Sequence, residues 1–148
     1  MNNKFLAVLL VIATAFIACK KDKVQEEENT VLPTGKYRLI EMMQSDVEGK
    51  DSVSIKYPLS SLSLVFDQKE KTAQVYGIPE TLPMRASYKV GANGGLAEAK
   101  VSTAKSVPGE NDLTVADLLA SGNKYESKGG SVVVHTKNRG YLVFSMQK

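Results

Sequence analysis

The chain has 148 residues, with 19 Lys and Arg against 16 Asp and Glu, a formal charge of +3 and a single cysteine. That length suits one domain and leaves no room for a second core of ordinary size. At 43% hydrophobic and 24% charged residues, with 11 Gly and 5 Pro, the composition excludes collagen-like, strongly disordered and wholly membrane-embedded chains.

Residues 1–18 carry the grammar of a secretory signal: a short basic start at Lys4, an apolar run from Phe5 to Ala18, then small residues at a cleavage point. The run is shorter than the roughly 20 residues a helix needs to cross the hydrocarbon layer, so it is expected to be removed rather than retained as a span. Removal takes away Lys4 and leaves 18 basic against 16 acidic residues, a charge of +2. Phe16-Ile17-Ala18-Cys19 resembles the lipobox of bacterial lipoproteins, with Phe16 standing where Leu is usual. The resemblance implies that Cys19 is acylated and becomes the first residue. A lone cysteine forms no internal disulfide and no Cys-rich metal site. Two or more acyl chains hold a protein at a membrane durably, which one chain does not. Lys20 rather than Asp follows the cysteine, so the expected address is the outer membrane, with the face left open.

Residues 19–33 form the expected tether. The segment KKDKVQEEENTVLP is charged and aperiodic, and such a segment buries too little surface to offset its ordering entropy. Glu26, Glu27 and Glu28 read first as part of a solvated linker, the alternative being an acidic surface-export signal of the kind found near some lipoprotein cysteines.

Residues 34–148 are the folded domain, large enough to bury roughly two-thirds of its unfolded surface. Tyr37 to Met43 is a mixed apolar run. Val53, Ile55 and Tyr57 alternate, as do Leu62, Leu64 and Phe66, each set predicting a strand with one apolar face. Thr72 to Tyr76 follows the polar turn DQKEK. Met84, Ala86, Tyr88 and Val90 alternate, Gly91 to Gly95 reverses the chain, and Ala97, Ala99 and Val101 return. A helix is expected at about residues 112–121, where Val115, Leu118 and Leu119 share a face. Thr114 with Asp117 resembles a capping box, and Gly122 is placed to end the helix. Three strands follow: Lys124 to Lys128, Ser131 to Thr136 and Tyr141 to Met146, with turns at Gly129-Gly130 and Asn138-Arg139-Gly140. The fold class is therefore α+β and mainly antiparallel β, a curved sheet or half-barrel packed on one helix.

Gly35-Lys36-Tyr37-Arg38-Leu39-Ile40, Leu62 to Phe66, Ala86-Ser87-Tyr88-Lys89-Val90, Val101-Ser102-Thr103, Asp117-Leu118-Leu119, Lys124-Tyr125-Glu126 and the last two strands together resemble the META domain of HslJ-like envelope proteins. Tyr37 stands where that family usually has Trp, and its Gly-Cys-Asn element and later partner Cys are missing. The resemblance implies an envelope domain, outside the cytoplasm, without catalytic residues.

No catalytic constellation is legible. Ser102-Thr103-Ala104-Lys105 has the Ser-x-x-Lys spacing but follows a strand, without Ser-Asp-Asn or Lys-Thr-Gly elsewhere. His135, the one histidine, lacks the partners of a metal site or an oriented base. Gly91 to Gly95 lacks the Gly-Lys-Ser/Thr and helix of a phosphate loop. Glu41, Glu48, Asp67, Glu80, Glu110 and Asp117 are not assigned to any pair. No catalytic residue, metal or cofactor is expected. Asp51-Ser52-Val53 resembles a short O-glycosylation signal, making Ser52 a candidate for modification. Basic residues are spread from Lys36 and Arg38 to Arg139 and Lys148 without a stripe, so nucleic acid is not an expected partner.

The expectation is a non-enzymatic lipoprotein, anchored through Cys19, that binds or stabilises another envelope component. A carrier of a small hydrophobic ligand is the alternative, since a curved sheet can hold one in its mouth. Inhibition of an envelope enzyme through Ile78-Pro79-Glu80-Thr81-Leu82-Pro83, stiffened by two prolines, is the other.

Overall fold

The computed structural model describes residues 31–45, 52–137 and 140–148. The signal, Cys19 and the greater part of the tether, as well as Glu48, Asp51, Asn138 and Arg139, lie outside the described residues. Among the described residues no helix is long and apolar enough to cross a membrane.

The domain is a mainly antiparallel half-barrel with one short helix packed against it. Its strands are β1 (Lys36–Ser45), β2 (Ser52–Lys56), β3 (Ser63–Asp67), β4 (Thr72–Gly77), β5 (Met84–Val90), β6 (Leu96–Thr103), β7 (Gly122–Lys128), β8 (Ser131–Thr136) and β9 (Gly140–Met146), with the helix α1 (Asp112–Ala120) between β6 and β7. Eight strands follow the order β6-β5-β4-β3-β1-β9-β8-β7, and β2 pairs with the later part of β1. The terminal strands β6 and β7 are brought back towards each other, with an isolated bridge between Gly95 and Lys124. Sheet twist carries a path of this length round on itself.

Alternation sets the inner face, and bulges adjust it. On β5, Met84, Ala86 and Tyr88 point inward as their spacing predicts, and on β8 and β9 so do Val132, Val134, Leu142 and Phe144. On β1 the register shifts between Leu39 and Glu41, so Leu39 and Met42, three apart, both face the core. That bulge is why the run from Tyr37 to Met43 reads as mixed. A second bulge, with Glu98 at φ 52°, moves the inward set of β6 to Leu96, Ala99 and Val101, leaving Ala97 exposed, contrary to its alternation. Val53 is also exposed, at 57%, because β2 covers only the rim of β1. The Gly129-Gly130 turn has positive φ at both residues, the geometry that lets two residues join twisted strands.

The capping box read from Thr114 and Asp117 does not form. Asn111 occupies the cap position without a side-chain cap bond, and the carboxylate at the start of α1 is Asp112, fully buried and bonded to another part of the chain. Ser121 ends the helix and Gly122 opens β7. Leu32, assigned to the tether by composition, is buried in the core, and its amide and carbonyl both bond to the side chain of Gln68.

The inside of the half-barrel is filled. Leu39, Leu64, Val75, Tyr88, Val115, Leu119, Leu142 and Phe144 are each at most 2% exposed, while Leu118 is buried and Phe66 half-buried beside Tyr125. Buried interiors are packed closely enough that a lost ring is not refilled. Phe144→Ala should therefore cost about 3–5 kcal/mol of stability, whereas Val53→Ser on the exposed rim should change it by less than about 0.5 kcal/mol, both read by chemical denaturation.

Candidate functional site

Two features stand out from the sheet: a pinned loop at the helix end, and a groove on the outer face of β4, β5 and β6.

Asp112 builds the first. Its carboxylate accepts bonds from the amides of Glu80 (3.0 Å), Thr81 (3.1 Å), Leu82 (2.8 Å) and Gly109 (2.7 Å), and from the hydroxyl of Thr81 (2.9 Å). Glu80 answers from the other side, accepting from the backbone and side-chain nitrogens of Asn111. Burial alone would push the Asp112 carboxyl up, but bonds from Gly109, Thr81 and Glu80 favour the ionised form and hold it below the ordinary carboxylate range. The proline-flanked loop 78–83 is thus fixed more by this carboxylate than by its prolines. Pro79 and Leu82 are buried, while Glu80 and Thr81 remain exposed. Nearby, the Tyr88 hydroxyl donates to the Leu119 carbonyl and locks α1 to β5.

The groove is built by register. Pairing across five strands sets Lys36, Val65, Gln74, Ser87 and Lys100 in one row, and Arg38, Ser63, Tyr76, Arg85 and Ser102 in the next. These positions alternate with the inward residues, so both rows lie on the outer side of the sheet, although at β3 Ser63 is fully buried and Val65 half-buried, which leaves β4 to β6 as the open part of the rows. The groove encloses about 590 Å³ between Gln74, Tyr76, Arg85, Ser87, Lys100 and Ser102, and continues past Tyr76 to Ile78 and Pro83. The Lys36 ammonium lies 5.5 Å from the centre of the Tyr76 ring. Arg38 donates to the Pro58 carbonyl at 2.9 Å. Among the described residues no carboxylate pairs with Lys36, Arg38, Arg85 or Lys100. The neighbouring acids lie one row further on: Asp67, opposite Thr72, caps its own turn, and Glu98 is paired with Lys89 at 2.7 Å.

The residues singled out from sequence are dispersed. Ser52 opens β2, is exposed, and shares a hydrogen bond with the Ser45 hydroxyl at 3.3 Å. Ser102 lies on β6 in the groove, and Lys105 lies beyond the strand's end rather than one helical turn away. His135 lies on β8, with Nε2 3.4 Å from the Glu126 carboxylate and its ring beside Tyr141. Glu126, bonded to Lys124 and facing His135, is held below the ordinary range. Gly91 to Gly95 is a turn containing a short 3₁₀ segment, with Asn93 and Gly94 at positive φ. Among the described residues no three of His, Cys, Asp and Glu gather as a metal site. Sequence reasoning missed both Asp112 and the groove. The cations look evenly spread along the chain because the strands that unite them are distant in sequence.

No family model matches the chain, and no curated protein does. Among solved structures, the chain is similar to a DUF4847 family protein from Bacteroides vulgatus, with a TM-score of 0.48 and 10% sequence identity over 78% of this chain and 94% of that one.

Asp112→Asn keeps the shape but turns an amide donor towards a ring of donors, and should cost about 1–3 kcal/mol at pH 7. Because the folded Asp112 pKa is depressed, its contribution is complete above the ordinary carboxylate value of about 4 and fades as pH falls through the lower folded value. The stability difference between wild type and Asp112→Asn should accordingly narrow in acid, as read from denaturation curves at pH 7 and at pH 3.

Proposed function

We propose that the protein is a non-enzymatic lipoprotein, held at the outer membrane through lipid on Cys19, whose domain binds another component of the cell envelope at its outer surface. The observation that carries this reading is the contrast between the two faces of the sheet. The inner face is occupied by Leu39, Leu64, Tyr88, Leu118 and Phe144, while the outer face of β4 to β6 carries a groove with cations free of carboxylate partners among the described residues. A filled interior leaves a partner the outside of the barrel.

The lipobox-like end of the signal supports the anchor, and the META-like order of strands and helix supports an envelope domain. The hydrophobic-ligand carrier draws less support, since the side chains that would line its cavity pack against one another. Inhibition of an envelope enzyme draws on the exposed Glu80 and Thr81 of the pinned loop, whose side chains are already bonded to Asn111, Asp112 and the Val107 carbonyl.

The anchor is tested on the protein isolated from cells. Mass spectrometry should find the peptide beginning at Cys19 acylated, and the protein should enter the detergent-rich phase of a phase-separating extraction. Cys19→Ser should move it to the aqueous phase. An unmodified Cys19 in intact mature protein would overturn the anchor.

A further inference from the structure

Resting on the reading of the domain as an outward-facing binding module, we infer that the groove over β4, β5 and β6 binds an acidic polysaccharide: a linear chain of sugars carrying carboxylate or sulfate groups. The partner must be anionic. Arg85 and Lys100 line the groove, and Lys36 and Arg38 lie beyond it on β1, one over the Tyr76 ring and the other bonded to the Pro58 carbonyl; among the described residues none of the four has a carboxylate partner, and the acids Asp67 and Glu98 are engaged one row away. An uncompensated set of cations in a groove concentrates positive potential and draws an oppositely charged ligand.

The partner must also be read by side chains. Within the groove β4 and β5 have neighbours on both sides, so their backbone groups are committed to the ladder, and β6 alone ends the path; a ligand lying across the strands therefore meets side chains. The rows run across the strands, from Lys36 on β1 to Lys100 on β6, spanning four strand spacings or roughly 19 Å along the sheet. A ligand lying in the groove crosses β4, β5 and β6, where it meets amide, ring, guanidinium, hydroxyl and ammonium groups. Gln74, Ser87 and Ser102 supply donors and acceptors suited to sugar hydroxyls. The Tyr76 ring, 38% exposed at the centre, supplies an apolar face for the C–H side of a sugar ring. Arg85 offers a fork that matches a carboxylate or sulfate, and Lys100 a point charge.

A lipid surface fits less well. Insertion at a bilayer interface needs a set of protruding aliphatic or large aromatic side chains around the cations, and the groove with its continuation carries only Tyr76 and Ile78, each less than 40% exposed, among the described exposed large hydrophobics.

The test uses the full chain in detergent micelles, titrated with polygalacturonate by calorimetry. Neutral dextran, vesicles containing phosphatidylglycerol and a single-stranded DNA oligonucleotide serve as competitors for the interpretation. Polygalacturonate should bind and dextran should not. Arg85→Ser with Lys100→Ser should weaken binding roughly tenfold or more. Lys128→Ser with Lys137→Ser, which removes the same charge elsewhere, should leave it unchanged. Tyr76→Ser should weaken it without altering charge. All these side chains are exposed, and unchanged melting temperatures confirm that each variant is folded.

Absence of polygalacturonate binding, equal loss from the Arg85/Lys100 and Lys128/Lys137 double variants, or binding to vesicles or DNA as tight as to polygalacturonate would overturn the inference. The anchor is read independently. An acylated Cys19 with no polygalacturonate binding discards the groove assignment and keeps the envelope reading, whereas groove-dependent binding by a chain with unmodified Cys19 does the reverse.

Discussion

The fold depends on one buried carboxylate. Asp112 gathers three consecutive amides of loop 79–82, the amide of Gly109 and a threonine hydroxyl, and so ties the segment before β5 to the beginning of α1. An ionised group with no exposed surface is tolerable only when its oxygens are fully satisfied, and here the donors come from backbone that has no other partner in a turn. With that end of α1 fixed, the Tyr88–Leu119 bond holds the other, and Val115, Leu118 and Leu119 seat against the open side of the curved sheet. The helix is short, and tertiary packing rather than propensity keeps it formed.

That arrangement decides where function can reside. Sealing the sheet with α1 fills the inner face, so the interior contributes stability, and the proposed binding surface is the outer face. The same strand order that closes the core also lines up β1, β3, β4, β5 and β6 in register, and that register turns four cations from distant parts of the chain into two adjacent rows. Packing and the proposed binding surface are two sides of one set of pairings: each inward Ala86 or Tyr88 is neighboured by an outward Arg85 or Ser87. A slip of one residue in β5 would expose the core and bury the cations together.

Much of the fold was legible in sequence. Regular alternation in Leu62 to Phe66 and Met84 to Tyr88 marks β3 and β5, Gly129-Gly130 marks the last hairpin, and the spacing of Val115, Leu118 and Leu119 marks α1. Where alternation broke down on β1 and β6, the cause is a bulge. Ile40 and Glu98 each add a residue to one strand, which shifts the inward set in a way that no count of apolar positions reveals. Asp112 was hidden for another reason. Its partners other than Gly109 lie 30–32 residues upstream, and Thr114 with Asp117 offers a plausible local cap that competes with it on paper. The groove was hidden most deeply, since a stripe built across strands has no period along the chain. Leu32 shows the converse, a residue in a polar segment recruited to the core by Gln68.

The measurement that bears most directly on the division between a filled inside and a binding outside is site-specific photo-cross-linking in intact cells. A photoreactive residue at Gln74, in the groove, should capture a carbohydrate-bearing envelope component reproducibly, whereas one at Val133, on the outward face of β8, should capture none. Capture from Val133 with nothing from Gln74 would place the binding surface on the opposite wall and contradict the account.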